Sequence, residues 1–563
     1  MKSLDWIQLS FYFGALLAFT PLLGGWMARI YAGEKHFLQP PLGWLENLLY
    51  RYAGCNPRQE MDWWHFCKAL LWFNGIGFAI VFVLQMLQSK LPFNPQSMPN
   101  LSWTLALNTA VSFVTNTDWQ NYSGEATMSY LTQMLGLTVQ NFLSAATGMG
   151  VLVAMARGLS RKSGHTVGNF WADTVRSILY ILLPLSLVLS VVLVAQGVVQ
   201  TFTPFEVAIS PEGHAQQIPL GPAASQIAIA QLGTNGGGFF GVNSAHPFAN
   251  PTPLTNFLEM LSILLLPSAL VNTYGRLVGS TRQGWAILAA MYLLFIAGLA
   301  LALWAEYQPN PLMPGLANME GKETRIGITD SVLWATATTD ASNGSVNCMH
   351  DSLSPLAGMV AMGNMMLGEV VFGGVGSGLY GMLMYVLLAV FMAGLMVGRS
   401  PEYLGKRVEK AEVICAMAAT LAPFAVLLIL AATAVTTSAG LSGLNNAGPH
   451  GLSEILYAYA SMSNNNGSAF AGLNGNTPFY NLTGAFAMMV GRFAVIIPAL
   501  AIAGSMAPKR IAPSSSGTFP TDGLLFVLML AGVVIIISGL THFPALTLGP
   551  IIEHLLMQQG RMF

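Results

Sequence analysis

Four short loops rich in amide and hydroxyl side chains recur along this chain of 563 residues. The third residues of successive loops are 119, 108 and 123 positions apart, a near-even spacing that indicates an internal repeat. Glycine at the third position of three loops permits positive φ angles, which can turn successive carbonyl groups toward one axis. The loops are Thr115-Asn116-Thr117, Thr234-Asn235-Gly236, Ser342-Asn343-Gly344 and Asn465-Asn466-Gly467.

Loops of this composition offer carbonyl, amide and hydroxyl oxygens to an ion. Potassium filters replace the hydration shell of the ion with rings of backbone carbonyls. Magnesium or a transition metal would require carboxylate, histidine or cysteine ligands, so no transition-metal site is expected at the loops. An ordinary turn would explain any single loop. Four copies on the same side, each behind a short apolar stretch, favour a potassium filter.

The composition of the chain places these loops in a membrane protein. Hydrophobic residues make up 53% of the chain and charged residues only 8%, whereas soluble domains carry about 25% charged residues. Lysine and arginine total 23 against 24 acidic residues, so no basic excess indicates nucleic acid. The four cysteines are scattered, without the spacing of a metal site. We therefore expect an all-α polytopic membrane protein.

About 20 mostly apolar residues are needed to cross a bilayer as a helix, and the sequence predicts ten such spans. The segment 356–397 is twice too long for one straight span, and a run of glycines interrupts it. The predicted spans are 6–27, 69–87, 130–156, 177–199, 254–275, 284–304, 356–397, 413–436, 482–504 and 523–540.

A stretch too short to cross the bilayer precedes each loop, at 104–114, 225–233, 331–341 and 454–463. A half-helix that enters from outside points the negative end of its dipole at the membrane centre, which favours a cation there. We predict four pseudo-repeats of helix, pore half-helix, filter loop and helix, with one extra helix at each end. The four predicted pore repeats are 69–156, 177–275, 284–397, whose second helix is broken, and 413–504. Residues 1–68 hold the first helix and an inner loop, and residues 523–563 hold the last helix.

Basic residues set the predicted orientation, because cytoplasmic connections carry more lysine and arginine than the opposite side. Five basic residues lie in the segments on the opposite side, and Arg492 lies within a span. Both chain termini are therefore predicted to lie outside the cell. The other 17 basic residues lie in the connections 28–68, 157–176, 276–283, 398–412 and 505–522.

The chain resembles the KdpA family, the potassium-translocating A subunits of the Kdp potassium-transporting ATPase. The resemblance extends from one end of the chain to the other, through long and distinctive motifs. The stretches that carry it are Leu107–Thr117, Gln231–Thr252, Asn318–Ile328, Gly368–Leu383, Gly398–Lys406, Asn464–Asn474 and Met489–Ser505.

This resemblance implies a channel-like fold of the Trk/Ktr/HKT type in a bacterial or archaeal inner membrane. It implies a non-hydrolytic subunit of a high-affinity uptake complex, which passes K⁺ from the outer side to a P-type ATPase subunit, KdpB. KdpC, a small KdpF peptide and the lipid bilayer are the other expected partners. The chain has neither a GxxxxGK[ST] motif nor an aspartyl-phosphate motif. We therefore expect no cofactor in this chain, with ATP and Mg on the partner subunit.

The resemblance also implies which residues form the ion site. Gln120, just after the first loop, is expected in the surroundings of the site. The chain departs from the family pattern at Asn343, where the family often has cysteine, and at two added acids, Asp118 and Asp340. These departures bear on ion affinity. The implied filter residues are Asn116, Thr117, Thr234, Asn235, Gly236, Ser342, Asn343, Gly344, Asn465, Asn466 and Gly467.

Ionisable residues within spans are costly and are functional candidates. Glu369 precedes a glycine run, which the resemblance implies is a loop beneath the filter that diverts ions sideways into a tunnel. We expect Arg492 to support this block as a fixed charge paired with Glu369, or to serve structure alone in a salt bridge. Glu259 is expected to face a polar crevice near the outer half of its helix. The glycines of the run are Gly373, Gly374, Gly376 and Gly378.

Two other functions stay open from the sequence. The first is a stand-alone Trk/Ktr-type potassium channel or transporter subunit, driven by membrane potential. An ATP-hydrolysing subunit that co-purified with the chain would exclude it. The second is a membrane-embedded enzyme with Glu369 or Glu259 as a general base, which no nucleophile or metal-ligand constellation accompanies.

Overall fold

The computed structural model describes residues 2–398, 401–512 and 519–561. Arg399 and Ser400 in the predicted inner connection 398–412, residues 513–518 in the connection 505–522, and both chain ends lie outside the described residues. Ten helices in the described ranges are long and apolar enough to cross a membrane. They are Ser3–Ala32, Trp63–Lys90, Thr132–Ser160, Phe170–Ala195, Pro253–Leu277, Thr281–Glu306, Ser377–Met396, Lys410–Thr436, Pro478–Met506 and Leu524–Gln558.

The predicted interruption within 356–397 is confirmed. The helices Pro355–Met366 and Ser377–Val397 are separated by an irregular segment that holds the glycine run. The first helix ends at Met366, and Gly368 just beyond it has a positive φ angle of 90°. Gly373 and Gly376 have positive φ angles of 63° and 83°, and the second helix begins directly after Gly376.

The last membrane helix is longer than the predicted span 523–540. It continues through a π-helical turn at Thr547–Ile551 to Gln558. Polar residues end the apolar pattern near 540, but Ser538 and His542 are buried against the rest of the protein and do not mark the end of the helix. His542 is one of them, and its Nδ1 lies 3.1 Å from the carbonyl oxygen of Ser538.

Four shorter helices, named pore helices 1 to 4 in chain order, stop at the predicted loops. They have 12, 10, 14 and 16 residues, which at 1.5 Å per residue makes them about 15 to 24 Å long. This length is less than the hydrocarbon thickness of about 30 Å, so each helix ends within the membrane. Pore helices 1 to 4 are Trp103–Val114, Ala223–Leu232, Gly327–Asp340 and Gly448–Ser463.

The first membrane helix, Ser3–Ala32, lies outside the four repeats and packs along Pro253–Leu277. The Tyr12 hydroxyl donates a hydrogen bond to the carbonyl oxygen of Met260 at 3.1 Å. Near the other end, the Thr273 hydroxyl donates to the carbonyl oxygen of Gly24 at 3.1 Å. Because Gly24 has no side chain, the two backbones approach closely there, as small residues allow in membrane helix pairs.

Short elements complete the described chain. The helix Gln39–Tyr52 lies in the connection 28–68, which carries no predicted helix. The strands form three separate antiparallel pairs: Met61–Asp62 with Thr166–Gly168, Glu206–Ile209 with Ala215–Ile218, and Glu402–Tyr403 with Lys406–Arg407. The remaining helical turns are Gln88–Lys90, Gly124–Thr127, Thr132–Thr138, Ile178–Leu182, Asn243–Ala245, His350–Ser352, Ser438–Leu441 and Ile552–Gln558.

The Glu402–Arg407 hairpin is fixed to the membrane core by one buried lysine. Lys406 is fully buried, and its Nζ donates to the carbonyl oxygens of Gly158 at 2.9 Å and Met506 at 2.6 Å. These two carbonyls lie at the C-terminal ends of two membrane helices, where a cation is favoured by the helix dipole.

We predict that Lys406→Met lowers the melting temperature of the purified chain in detergent. The substitution removes the charge and leaves the Gly158 carbonyl without its donor, at a cost of about 1–3 kcal/mol. The Met506 carbonyl keeps a hydrogen bond from the amide of Lys509 at 3.1 Å. Lys162→Met is the matched control, because Lys162 is exposed on the adjoining connection. Equal melting temperatures for the two variants would contradict the role of Lys406.

Candidate functional site

The four loops begin with the same hydrogen-bond pattern. In each, the amide of the second residue beyond the helix cap donates to a carbonyl five positions earlier, in the last turns of its pore helix. The chain thus leaves all four pore helices by one geometry, which supports the predicted fourfold repeat. These bonds run from Thr117 to Ser112, from Asn235 to Ala230, from Asn343 to Thr338 and from Asn466 to Ser461.

This pattern corrects the register predicted for the first loop. The residue equivalent to Asn235, Asn343 and Asn466 is Thr117, so the first loop is Asn116-Thr117-Asp118 and does not begin at Thr115. Asp118 therefore occupies the position of the three glycines. The sequence match on Thr-Asn dipeptides missed it. Only the observed ends of the pore helices set this register, because Asp118, Gly236, Gly344 and Gly467 each lie four residues beyond them.

Backbone angles agree with the corrected register. The first residue of every loop has a left-handed conformation although it is not glycine, which is uncommon for such side chains. Asp118 also has a positive φ angle, of 51°, like the glycines to which it corresponds. The first-position angles are 63° at Asn116, 47° at Thr234, 52° at Ser342 and 59° at Asn465.

The loop glycines allow neighbouring loops to touch through their backbones. A Cβ atom built on Gly236 would collide with the carbonyl oxygen of Asn343. One on Gly344 would collide with that of Asn466, and one on Gly467 with that of Thr117. The loops therefore contact one another in cyclic order, and no side chain fits at these three positions.

The carbonyl oxygens of the four middle residues have no hydrogen-bond partner within the described parts of the chain. Fewer than about one in ten buried backbone groups is left unpaired in folded proteins. Here four unpaired carbonyl groups occupy equivalent positions in the loops. They lie next to the glycines that bring the loops together, so hydrogen-bond acceptors without donors are clustered at this place. The four residues are fully buried, and they are Thr117, Asn235, Asn343 and Asn466.

Side chains of the loops brace their neighbours. The Asn343 amide donates to the carbonyl oxygen of Ala230 at 3.1 Å, and the Asn466 amide to that of Thr338 at 2.9 Å. Each bond links a loop to the preceding pore helix. The Ser342 hydroxyl also donates to the carbonyl oxygen of Asn465 at 2.6 Å. These polar side chains therefore hold the loops against one another and against the pore helices.

Ser144 is a buried residue that the sequence analysis missed. Its hydroxyl donates to Oδ1 of Asn116 at 2.8 Å and accepts from the Asn235 amide at 3.0 Å. Ser144 thus joins the first and second loops from behind. A lone serine within an apolar span gives no sequence signal for such a role.

Gln120 lies beside the second loop. Its Oε1 accepts from the amide of Gly238 at 2.9 Å, and its Nε2 donates to the carbonyl oxygen of Gly238 at 3.2 Å. Gln120 therefore fixes the segment that follows the second loop. Gln120, Asp118, Gly344 and Gly467 contribute to the lining of a cavity of about 560 Å³ that leads to the loops.

The glycine run lies directly against the inner side of the loops. The amide of Gly373 donates to the carbonyl oxygen of Asp340 at 2.9 Å, and the amide of Val375 donates to the Thr234 hydroxyl at 2.7 Å. Gly374, Gly376 and Gly378 are packed against other backbone or side-chain atoms, so larger residues would not fit there without a shift. The segment therefore packs closely against the second loop and the end of pore helix 3.

The expected ion pair between Arg492 and Glu369 is wrong. Arg492 Nη2 donates instead to the carbonyl oxygen of Ser144 at 2.9 Å. Within the described chain, the Arg492 Nε and both carboxylate oxygens of Glu369 have no hydrogen-bond partner. Both side chains line a cavity of about 60 Å³ beneath the loops. Glu369 has a positive φ angle of 53°, so the chain changes direction there. The positions of Glu369 and Arg492 in the sequence therefore do not predict the distance between their side chains.

Glu259 is buried in a polar crevice beside pore helix 2, in agreement with the sequence prediction. Its carboxylate accepts from the Ser244 hydroxyl at 2.7 Å and from the Gln231 amide at 3.4 Å. Gln231 in turn accepts from the Ser345 hydroxyl at 2.9 Å. Glu259 therefore supports the backs of the second and third loops.

Ten membrane-crossing helices around four re-entrant pore helices and loops define a channel-like membrane protein. The fold is similar to that of the potassium transporter TrkH from Vibrio parahaemolyticus, with a TM-score of 0.52. This likeness covers 88% of the chain and 96% of TrkH, at 14% sequence identity.

The family model KdpA, described as the potassium-transporting ATPase A subunit, matches residues 10–555. The chain is 55% identical to a Mesorhizobium japonicum protein, over 99% of both chains. It is 56% identical to one from Sorangium cellulosum, over 98% of this chain and 99% of the relative. Both relatives are named potassium-transporting ATPase potassium-binding subunit. The chain belongs to the KdpA family.

We predict that Asn466→Ala speeds amide hydrogen exchange in the fourth loop. The substitution removes the bond to Thr338, and it also removes the Oδ1 that accepts from the amide of Ser468 at 3.1 Å. Exchange measured by mass spectrometry on peptides covering 464–470 should rise, because a buried amide without its partner opens more readily. The control is Asn474→Ala at an exposed asparagine of the same connection. Unchanged exchange in Asn466→Ala would contradict the bracing role.

Proposed function

We propose that this chain is the potassium-binding and translocating subunit of an ATP-driven, high-affinity potassium uptake complex. The observation that carries the proposal is the set of four buried middle-residue carbonyls that lack hydrogen-bond donors. Carbonyl oxygens arranged in this way replace the hydration shell of K⁺ in selectivity filters. The names of the curated relatives support the choice of potassium.

The pore helices add a second contribution to ion binding. All four end at their loops, so the negative ends of their dipoles converge on the loop cluster. The filter consists of the eleven residues expected from the sequence, together with Asp118 at the position of the missing fourth glycine. K⁺ is the transported ligand, and the loops hold no transition metal.

The segment 373–378 diverts the ion from a straight path. Because this segment is hydrogen-bonded to the second loop and to the end of pore helix 3, an ion leaving the filter meets backbone instead of open water. Lateral exit toward a partner subunit is the remaining route. Glu369 and Arg492, in the cavity beneath the loops, set the charge that a departing ion meets.

Energy for transport comes from another chain in this proposal. The sequence has no nucleotide-binding or aspartyl-phosphate motif, and the relatives are named as subunits of an ATPase. The partners are a P-type ATPase subunit (KdpB) that binds ATP and Mg, KdpC and the small KdpF peptide. The complex lies in a bacterial or archaeal inner membrane, with both termini of this chain outside.

We predict that Gly236→Asp weakens discrimination of K⁺ over Na⁺ by roughly tenfold, an effect of about 1.4 kcal/mol. The new side chain would collide with the Asn343 carbonyl and displace a filter ligand. Ion selectivity is measured as K⁺- and Na⁺-stimulated ATP hydrolysis of the complex co-purified with this chain, together with uptake competition.

Gly213→Asp is the control for backbone strain, because Gly213 has a φ of 82° but open space around it. Unchanged discrimination in Gly236→Asp would remove the second loop from the filter. Absence of any K⁺-stimulated hydrolysis in the wild-type preparation would favour the stand-alone channel.

We predict that Arg492→Ala lowers the amount of K⁺ transported per ATP hydrolysed. The substitution removes the guanidinium that bonds to the Ser144 carbonyl and lines the cavity beneath the loops. Coupled uptake and hydrolysis are measured in reconstituted vesicles. Arg510→Ala is the control, because Arg510 is exposed beyond the end of its membrane helix. Wild-type coupling in Arg492→Ala would rule out a gating role.

A further inference from the structure

A histidine at the outer start of pore helix 4 lies between two carboxylates from distant parts of the chain. His450 Nε2 is 3.1 Å from Oδ1 of Asp351, and its Nδ1 is 2.8 Å from Oε1 of Glu553. Asp351 belongs to the connection that follows the third filter loop, and Glu553 to the last membrane helix. The cluster therefore joins three separate elements on the side of the membrane where the filter opens.

A third carboxylate completes the cluster. Potential ligand atoms of Asp351, His450 and Glu454 all lie within 4.8 Å of one another. Glu454 is fully buried, and its Oε1 accepts from the Asn446 amide at 2.7 Å. Its Oε2 has no hydrogen-bond partner in the described chain. A buried carboxylate oxygen without a partner is costly, and a cation bound at this atom would satisfy it.

The cluster can be reached from outside. Asp351, His450 and Glu553 contribute to the wall of a cavity of about 280 Å³, which Glu320 and His554 also line. The side chains of Asp351 and His450 retain 17% and 12% of their exposure. A hydrated ion can therefore approach these ligands without opening the membrane core.

We propose that Asp351, His450 and Glu454 bind a divalent transition-metal ion of the Zn²⁺ type. One imidazole and two carboxylates form a donor set that suits such ions. Tetrahedral bonds of about 2.0–2.1 Å place neighbouring ligand atoms about 3.3 Å apart, close to the 3.1 Å between His450 Nε2 and Asp351 Oδ1. Water from the cavity supplies the fourth position.

Glu553 is the positioning residue of this site. Metal-binding histidines almost always donate their other ring N–H to a carboxylate or carbonyl, which fixes the ring and raises its basicity. The Glu553 carboxylate accepts from His450 Nδ1 in this way. A bound ion would therefore link the last membrane helix to pore helix 4 and the third loop, independently of the proposed potassium transport.

The test is titration of the purified full-length chain with Co²⁺, followed by displacement with Zn²⁺. We expect one Co²⁺ per chain with the visible absorption of a tetrahedral site, and full displacement by Zn²⁺. Asp351→Asn, His450→Gln and Glu454→Gln should each weaken binding by at least tenfold, and Glu553→Gln by about 10- to 100-fold.

His65→Gln is the matched control, because His65 pairs with Asp62 at 2.8 Å on an exposed surface and has no third ligand. It should leave Co²⁺ binding unchanged. If His450→Gln does not fold, Glu454→Gln is the deciding variant, because it leaves the contacts of His450 with Asp351 and Glu553 in place. Absence of saturable binding, or binding unaffected by Glu454→Gln, would overturn the proposal and leave His450 as a salt bridge only.

Discussion

The structure depends on one constraint, which is that four pore helices end inside the membrane. Polar backbone at that depth is tolerated only where protein or a water-filled cavity covers it. Each pore helix leaves its last carbonyls and the loop beyond it to be covered by the other repeats. The four repeats must therefore meet at their loops, and the ten membrane-crossing helices surround that meeting point.

Both side chains and backbone groups shield the loops from the membrane. Asparagine and serine side chains such as Asn343, Asn466 and Ser342 bond to neighbouring loops and pore helices. Glycines at three of the loops bring the backbones into contact. In the described chain the carbonyls of the four middle residues stay unsatisfied, and they belong to the ligand set of the proposed filter. A dehydrated cation satisfies these carbonyls without any side-chain charge.

The fourfold pattern is broken at the inner and outer sides of the loops. The glycine run occurs in the third repeat alone, where it bonds to Thr234 and to the carbonyl of Asp340 and packs against Gly148 of the first repeat. On the outer side, the cluster around His450 joins only the third and fourth repeats to the last helix. A symmetric channel needs neither feature. Their asymmetry fits a subunit that receives an ion from one side and delivers it to a partner.

The sequence by itself determined the membrane class, the ten spans, the half-helices and the four loops, because hydrophobic length and repeat spacing are local properties of the chain. Only the tertiary structure decided the register of the first loop, where Asp118 takes the glycine position, and the partner of Arg492, which is the Ser144 carbonyl and not Glu369. It alone also brought Asp351, His450 and Glu553 together. These outcomes depend on how distant backbones turn and pack, which residue order does not specify.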